Sequence, residues 1–359
     1  MTVRIGINGF GRIGRSFLRA LAERDATAGG TRAAAGGTGV EVVALNDVTS
    51  PATNAQLLRH DSTQGRFRGT VEAGDGHLVV NGRKIAVFSE RDPASIPWQD
   101  AGAEVVLEAV GRFTSRKDAA GHLGGGVSRV IITAPSPDAD ATFVMGVNDG
   151  DFDPERHVVV SNASCTTNCF VPMVKVLDDA FGVVSGLMTT VHAYTNDQAL
   201  LDVAHKDLRR AGAAALNIVP TSTGAARATG MVLQAMTGRL DGQSLRVPVP
   251  VGSITDFTAV VRGNVSVDQV NAAFDAAASA PPLAGFLVYS EEPLVSSDIV
   301  GSPASCTFHS KLTMFQPIDD ERTLVKVQGW YDNEWGYSNR LVDLCSVVGA
   351  GAGDASGSR

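Results

Sequence analysis

VRIGINGFGRIG, at residues 3–14, joins a short apolar strand to three glycines spaced as G-x-G-x-x-G. The glycines are Gly9, Gly11 and Gly14, and the residues that follow, 15–24, carry apolar side chains at helical spacing. A strand, a glycine-rich turn and a helix in this order let backbone amides approach a pyrophosphate at the helix N-terminus. The stretch therefore predicts a dinucleotide-binding unit at the start of the chain.

An acidic residue completes this pattern. A second apolar strand, 40–45, ends at Asn46 and Asp47, and a carboxylate there suits the ribose hydroxyls of a dinucleotide. The motif expects the acid about 20 residues beyond the glycines, whereas Asp47 lies 33 beyond Gly14. The 14 residues 26–39 explain the excess, because they are only Ala, Gly, Thr and Arg and indicate a flexible inserted loop. Without the insertion the spacing is 19, which fits the motif.

The lengths and spacing of the apolar runs predict two domains with different kinds of β-sheet. In the first 160 residues short apolar runs alternate with helix-compatible segments, which indicates an α/β, Rossmann-type doubly wound domain with a largely parallel sheet. Beyond residue 165 the runs are longer and more alternating, which indicates an α+β domain with a mainly antiparallel sheet. We predict a dinucleotide-binding domain over 1–164 completed by a C-terminal helix at 334–348, a second domain over 165–333, and a disordered tail at 349–359.

Individual elements follow from the same runs. The predicted strands are 3–7, 40–45, 78–80, 85–88, 105–110, 130–133, 158–161, 186–193, 253–263, 305–312 and 323–328, and the other predicted helices are 15–24, 170–180 and 267–279.

Composition and charge exclude several classes of protein. The chain has 359 residues, 44% of them apolar and 19% charged, which is ordinary for a globular enzyme of about two domains. Its net charge is −8 without basic clusters, so nucleic acid is not expected as the primary partner. The four cysteines show no zinc-like spacing, and no metal site is predicted. With no run of 18 apolar residues and no signal sequence, we predict a cytoplasmic protein without a membrane partner.

The stretch SNASCTTNC, at residues 161–169, carries the strongest chemical signal. Cys165 stands between a predicted strand and a predicted helix, where the positive end of the helix dipole favours a thiolate. The alternative is a buried, inert cysteine, which is common for this residue type. Cys169 follows four residues later, and two roles remain open for it: a partner thiol for an oxidised Cys165, or a buried residue that never reaches it.

Seven blocks of sequence together resemble the phosphorylating glyceraldehyde-3-phosphate dehydrogenase family. The resemblance covers about residues 3–348. The matching blocks are INGFGRIGR at 7–15, SNASCTTNC at 161–169, TTVHAYTNDQ at 189–198, HKDLRRA at 205–211, NIVPTSTGAA at 217–226, LRVPVP at 245–250 and WYDNEWGYSNR at 330–340.

This resemblance implies the residues that perform the reaction. Cys165 is expected to attack the aldehyde carbon of D-glyceraldehyde 3-phosphate, giving a thiohemiacetal and then an acyl thioester that inorganic phosphate cleaves. His192 is expected to share a proton with the thiol and then to act as general base on the thiohemiacetal hydroxyl.

Two anion sites are implied as well, one for the substrate phosphate and one for the attacking phosphate. The resemblance gives Thr195 and Arg246 to the first, and Ser164, Thr166, Thr223 and Gly224 to the second. Short hydroxyls, backbone amides and an arginine suit oxyanions on chemical grounds too, since charge-assisted hydrogen bonds are about twice as strong as neutral ones. Residues 221–224 are equally a helix N-cap, and both roles are compatible.

The family's cofactor is NAD, and the resemblance assigns residues to each of its parts. These are Gly9, Gly11, Arg12, Ile13 and Gly14 at the pyrophosphate, Asp47 at the ribose, Arg91 near the adenine, Thr133 near the nicotinamide half and Asn333 at the carboxamide. Val203 and Ala204 stand where NAD-specific members usually carry Leu-Pro, which points to weaker NADP use beside NAD. A homotetramer is the family's expected assembly, with residues 196–220 as the segment packed between subunits.

Two other functions are weighed against this one. One is another enzyme of this fold, either erythrose-4-phosphate dehydrogenase or a non-phosphorylating aldehyde dehydrogenase. The residues around Thr195 and Thr223 disfavour the first of these enzymes, and the second stays open. A binding protein that kept the fold and lost catalysis is disfavoured because Cys165, His192 and Arg246 are all present.

Overall fold

A computed structural model of the chain describes residues 2–27 and 38–350. Most of the predicted insertion and all but the first two residues of the predicted tail therefore lie outside the described residues. The ends that are described differ from the prediction. The first helix continues through Ala26 and Thr27, and the last helix continues through Gly349 and Ala350.

The helices are bounded as follows. In chain order they are α1 Arg12–Thr27, α2 Pro51–Arg59, α3 Trp98–Ala101, α4 Arg116–Ala119, α5 Cys165–Phe181, α6 Ala225–Val232, α7 Val267–Ser279 and α8 Trp335–Ala350.

The strands are β1 Val3–Asn8, β2 Val40–Asn46, β3 His60–Asp61, β4 Gly65–Arg66, β5 Val71–Gly74, β6 His77–Val80, β7 Arg83–Phe88, β8 Val105–Glu108, β9 Arg129–Ile132, β10 Ala141–Thr142, β11 Val159–Ser161, β12 Val183–Ala193, β13 Val219–Ser222, β14 Leu240–Val247, β15 Ser253–Arg262, β16 Leu287–Ser290, β17 Cys306–His309, β18 Met314–Asp319 and β19 Arg322–Tyr331.

The described chain divides into two compact units. The first comprises the described residues up to Phe143, Asp149–Ala163 and the chain from Ser338 onward, and the second comprises Val144–Asn148 and Ser164–Tyr337. The chain thus passes from the first unit to the second between the strand β11 and the helix α5. Helix α8 begins in the second unit and belongs to the first from Ser338 onward.

The first unit is built on a sheet with the order β10-β11-β9-β8-β1-β2-β7-β6-β5. Neighbours from β10 to β7 are parallel, and only β6 and β5 add antiparallel pairs at one edge. Ile5 and Ile7 of the central strand β1 are fully buried, as expected for a strand with both faces covered. Because β1, β2, β8 and β9 are parallel, the residues that follow them lie along one edge of the sheet. The predicted Rossmann-type class is confirmed.

The second unit contains a sheet with the order β13-β14-β12-β15-β19-β17-β16, with β18 paired to β19. Most pairs are antiparallel, and β12–β14 and β16–β17 are parallel. β15 and β19 bury alternate residues, so one face of the sheet packs on the core. Phe170 of α5 lies on that face, edge-to-face with Phe257 of β15 at a centroid distance of 4.8 Å. Helix α5 is therefore fixed to the middle of the sheet.

Helix α5 begins five residues before the predicted start at residue 170. Ser164 is its N-cap, and the Ser164 hydroxyl accepts a hydrogen bond of 3.1 Å from the Thr167 amide. Ala163 just before it has a φ of 55°, a left-handed conformation uncommon for a residue with a side chain. This sharp turn puts Cys165 at the first helical position, where backbone N–H groups are not used by the helix itself.

Candidate active site

Cys165 and His192 meet in the second unit. Cys165 opens helix α5, and His192 lies next to last in β12. The Cys165 Sγ atom lies 3.4 Å from His192 Nε2, within hydrogen-bonding range of a sulfur. His192 is buried, and Cys165 as a residue is half-buried. The two residues predicted to perform the chemistry are thus in contact.

Arg246 lies beside this pair because β12 and β14 run parallel with His192 and Arg246 in register. The Arg246 guanidinium contacts His192 Nδ1 and donates a hydrogen bond of 3.0 Å to the Ala193 carbonyl. His192 Nδ1 itself lies 2.7 Å from the same carbonyl. A positive charge therefore stands next to the nucleophile and the base, where an anionic substrate group would also be attracted.

The protonation states of the pair follow from burial. Burial raises the pKa of the Cys165 thiol above its usual value, and Arg246 and hydrogen bonds from Thr166 offset part of the effect. Burial and the Arg246 charge lower the pKa of His192 to about 3. A neutral thiol and a neutral imidazole are therefore the resting forms near pH 7. The prediction that the helix dipole makes the thiolate the favoured form is wrong for this structure, because desolvation is the larger effect.

Several of the hydroxyls predicted to bind phosphate are already used within the protein. Ser164 caps α5, and its hydroxyl lies 2.8 Å from the Thr167 hydroxyl. Thr166 is 5% exposed, and its hydroxyl lies 2.9 Å from the Tyr331 hydroxyl. What these two residues present to an anion is consequently the N-terminus of α5 rather than open hydroxyl groups.

The second predicted phosphate segment also precedes a helix. Gly224 comes directly before α6, and the Thr223 hydroxyl accepts a hydrogen bond of 3.2 Å from the Ala225 amide. Thr195 lies two residues beyond the end of β12 and is half-buried.

Arg210 is a further cation near these residues that the sequence-based site omitted. Its Nε donates a hydrogen bond of 2.8 Å to the hydroxyl of Thr221, two residues before Thr223, and its guanidinium pairs with Asp197. Arg210 lies in the block HKDLRRA, and this position was the sequence signal that could have placed it among the site residues.

The glycines of the first unit fit a dinucleotide. Gly9 has a φ of 93°, and a Cβ there would lie 2.7 Å from the Val110 amide nitrogen. A Cβ on Gly14 would lie 2.3 Å from the Gly9 carbonyl oxygen. Protein packing thus requires glycine at both positions. At Gly11 no atom of the described residues lies within 4 Å of such a Cβ, which leaves room for the close approach of a ligand.

The other predicted cofactor residues of the first unit are placed by the ends of its strands and by α1. Asp47 follows β2, and its carboxylate accepts a hydrogen bond of 2.8 Å from the Phe10 amide in the glycine-rich turn. Thr133 follows β9 at the same edge of the sheet. Arg12 and Ile13 open α1, but the Arg12 guanidinium forms an ion pair of 3.1 Å with Asp61. The Arg12 side chain is therefore engaged within the protein. Arg91 is exposed.

Asn333 lies in the second unit and is 6% exposed. Its Oδ1 accepts hydrogen bonds of 3.2 Å from the Gly252 amide and 3.0 Å from the Ser253 hydroxyl. Since the Gly252 amide can only donate, the orientation of the Asn333 amide is fixed. Its NH₂ group is then the end that faces an acceptor such as a carboxamide oxygen.

The structure agrees with the second role considered for Cys169, a buried residue, rather than with that of a partner thiol for Cys165. Cys169 is fully buried, and its thiol donates to the Gly329 carbonyl at 3.6 Å. A Cβ on Gly329 would lie 3.2 Å from Cys169 Sγ and 2.5 Å from Cys306 Sγ, so the Cys169 thiol faces β19 and Cys306. A disulfide with Cys165 would require this part of the core to open.

The chain was compared with known proteins. One family model, glyceraldehyde 3-phosphate dehydrogenase, NAD binding domain, matches residues 3–116, and another, the C-terminal domain of the same enzyme, matches residues 164–333. The chain is 55% identical over 349 residues to a curated glyceraldehyde-3-phosphate dehydrogenase of Streptomyces coelicolor, covering 97% of this chain and 99% of the relative. It is also 55% identical over 351 residues to the enzyme of the same name from Mycobacterium bovis, with the same coverage.

No helix within residues 2–27 and 38–350 has both the length and the apolar character needed to cross a membrane.

Proposed function

The chain belongs to the glyceraldehyde-3-phosphate dehydrogenase family, and from this premise we propose how its own residues perform the family's reaction. The protein is an NAD-dependent oxidoreductase that converts D-glyceraldehyde 3-phosphate, phosphate and NAD⁺ to 1,3-bisphosphoglycerate and NADH. The observation that carries the proposal for its residues is the Cys165–His192 contact of 3.4 Å beside Arg246.

The first step is attack of Cys165 Sγ on the aldehyde carbon. The reaction needs the His192 tautomer in which Nδ1 carries the proton and donates to the Ala193 carbonyl, so that the Nε2 lone pair faces the thiol. The thiol proton moves to Nε2 as the carbon–sulfur bond forms, and the carbonyl oxygen then takes that proton to give the thiohemiacetal. Arg246 and Thr195 hold the substrate phosphate, because a guanidinium and a hydroxyl donate strong hydrogen bonds to an oxyanion.

The second step is oxidation of the thiohemiacetal. NAD, when bound, supplies the hydride acceptor. His192 Nε2 takes the hydroxyl proton of the thiohemiacetal, so that the carbon bound to Cys165 becomes a thioester carbonyl. In the third step a phosphate oxygen attacks this carbonyl and the Cys165 thiolate leaves, which yields the acyl phosphate. Ser164, Thr166, Thr223 and Gly224 orient that phosphate through the helix N-termini they precede or open, and Arg210 is a second cation beside Thr221.

We assign the parts of the cofactor to residues of each unit, taken by itself. In the first unit Gly9, Gly11 and Gly14, with the backbone of Arg12 and Ile13, receive the pyrophosphate, and Asp47 receives the ribose hydroxyls. Arg91 contributes near the adenine and Thr133 near the nicotinamide half. In the second unit the Asn333 NH₂ group donates to the carboxamide oxygen.

The reaction is tested by NADH absorbance with the full chain. NADH formation from D-glyceraldehyde 3-phosphate is expected to require phosphate or arsenate. Higher catalytic efficiency with erythrose 4-phosphate would favour the alternative dehydrogenase, and formation at an equal rate without phosphate would favour a non-phosphorylating enzyme.

Cofactor preference gives a sharper prediction at Asp47. We expect NAD to be preferred with measurable NADP turnover, because the carboxylate repels a 2′-phosphate. Two like charges about 4 Å apart interact by about 1 to 4 kcal/mol near a protein surface. Asp47→Asn is therefore expected to raise the NADP:NAD ratio of kcat/KM by about tenfold or more.

Asp75→Asn is the matched control, since Asp75 is exposed in the turn between β5 and β6. It removes the same charge elsewhere in the first unit, and the ratio should stay that of the native chain. Equal efficiency with the two cofactors in the native chain, or an unchanged ratio in Asp47→Asn, would refute this role of Asp47. Binding of each cofactor by calorimetry gives the same comparison without turnover.

A homotetramer accounts for the apolar surface of the segment 196–220. Leu200 and Leu208 are 84% and 83% exposed, and Leu201, Leu216 and Ile218 are exposed as well. Several large exposed apolar side chains within one segment favour a protein contact there. We assign it to other copies of the chain. We also place the protein in the cytoplasm, because all four cysteines are unpaired, as is usual in a reducing compartment.

A further inference from the structure

Tyr331 lies beneath the Cys165–His192 pair and has no role in the reaction described above. It is the last residue of β19 and is 2% exposed. Its hydroxyl lies 2.9 Å from the Thr166 hydroxyl and 2.7 Å from the Thr190 hydroxyl. Its ring packs edge-on against the His192 imidazole, with centroids 5.9 Å apart and planes at 71°. One side chain thus contacts both elements that carry the reactive groups.

The two hydroxyl partners stand next to those groups in the chain. Thr166 directly follows Cys165 in the first turn of α5. Thr190 precedes His192 by two residues in β12, and residues two apart in a strand project to the same side. The Tyr331 hydroxyl therefore joins the start of α5 to β12, one residue from Cys165 and two residues from His192.

The hydrogen bonds that join the hydroxyls of Thr166, Tyr331 and Thr190 run in one direction. The Thr190 hydroxyl lies 3.4 Å from the Ile254 carbonyl, which can only accept a hydrogen bond. With Thr190 donating to Ile254, the Tyr331 hydroxyl donates to Thr190 and the Thr166 hydroxyl donates to Tyr331. Burial raises the pKa of Tyr331 well above its usual value, so the phenol keeps its proton across the working pH range. The Thr166 hydroxyl is then engaged with Tyr331.

We propose that Tyr331 is a positioning residue that holds Cys165 Sγ and His192 Nε2 at proton-transfer distance by tying α5 to β12. This inference rests on the proposed function of the Cys165–His192 pair. Tyr331 acts through that pair and contacts neither substrate nor cofactor in this account. The Tyr331 hydroxyl joins the two elements through its hydrogen bonds with Thr166 and Thr190, and the Tyr331 ring limits rotation of the His192 imidazole.

Tyr331→Phe tests the proposal, because it keeps the ring against His192 and removes only the bridging hydroxyl. A misplacement of about 1 Å in an active site can cost about 10²-fold in rate. We expect kcat to fall by about 10- to 100-fold while KM for substrate and for phosphate changes little. A purely structural role would lower the melting temperature and leave kcat per folded molecule unchanged.

The decisive readout is the pH dependence of Cys165 alkylation by iodoacetamide in the full chain. The groups that act on this thiol are His192 from β12, Arg246 from β14, Tyr331 from β19 and Tyr337 from α8. The proton of the Cys165 thiol moves to His192 Nε2 when the sulfur reacts, so weaker contact with His192 removes the acceptor of that proton. Tyr331→Phe should therefore react more slowly at pH 7, and its profile should shift to higher pH.

Two further variants make the test specific. Tyr289→Phe is the matched control, since the Tyr289 hydroxyl bonds to Glu291 at 3.3 Å near the surface, and its kcat and profile should equal those of the native chain. Thr190→Val removes the other end of the tie. It should reproduce the defect of Tyr331→Phe, and the double variant should be no worse than the more impaired single variant. Thr190→Val carries the test if Tyr331→Phe fails to fold.

The proposal is overturned if both Tyr331→Phe and Thr190→Val keep kcat and the alkylation profile within about twofold of the native chain. If the Cys165→Ser variant is inactive in the same experiment, this result refutes only the proposed role of Tyr331. An active Cys165→Ser variant would instead remove the proposed function of the pair.

Discussion

Replacing Cys165 with serine is expected to abolish phosphate-dependent NADH formation while NAD remains bound. A serine hydroxyl is far less acidic than a thiol, so far less of the anionic nucleophile forms to attack the aldehyde carbon. Loss of a covalent nucleophile lowers kcat by about 10⁴-fold or more. The steady-state NADH assay measures the loss, and quenching of protein fluorescence by NAD measures binding. The pyrophosphate and ribose residues lie in the first unit, whereas Cys165 lies in the second.

Cys169→Ser is the matched control for this variant. It makes the same change one helical turn away, and the serine hydroxyl can replace the thiol as donor to the Gly329 carbonyl. Most of the native activity should remain. Activity above a few per cent in Cys165→Ser, with a normal circular dichroism spectrum, would show that another residue is the nucleophile.

His192→Asn has the second-largest expected effect. Asparagine cannot exchange a proton with the thiol or with the thiohemiacetal, so kcat should fall by about 10²- to 10⁴-fold near neutral pH. Rising pH should recover part of the rate, because hydroxide and the ionised thiol then replace the missing base. Because burial lowers the pKa of the native His192 to about 3, the imidazole of the native chain is already neutral at pH 6. Rate profiles from pH 6 to pH 10 check both statements.

His60→Asn provides the comparison, since His60 is exposed in β3 of the first unit. Its kcat should equal that of the native chain. A His192→Asn variant with native rates at pH 7 would remove the general base from this account.

Local signals in the sequence were sufficient for some elements. Helix α7 was predicted with its observed bounds, 267–279, because Ser266 and Gln269 form a capping box directly before its apolar face. The strand and glycines of residues 3–14 likewise carried the Rossmann-type class, because the strand–turn–helix order and the glycine spacing are read directly from neighbouring residues. Where neighbouring residues decide the structure, the sequence was a good guide.

Other features depend on distant residues and were missed. Strand β14 was not predicted, and of helix α6 only the N-cap at 221–224 was, because the small and polar residues of both elements give no clear period. The protonation state of Cys165 depends on how deeply the folded unit buries it. The Tyr331 hydroxyl contacts the Thr166 hydroxyl, although the two residues are 165 apart in the chain. No local sequence pattern predicts such a contact.

The acyl-enzyme is the most direct test of the central claim that Cys165 is the nucleophile. The full chain is mixed with NAD⁺ and D-glyceraldehyde 3-phosphate without inorganic phosphate, quenched in acid and digested for peptide mass spectrometry. We expect a 3-phosphoglyceroyl thioester on the peptide that contains Cys165, formed with one equivalent of NADH and discharged when phosphate is added. A full equivalent of NADH with an unmodified Cys165, or with the acyl group on another residue, would contradict the account.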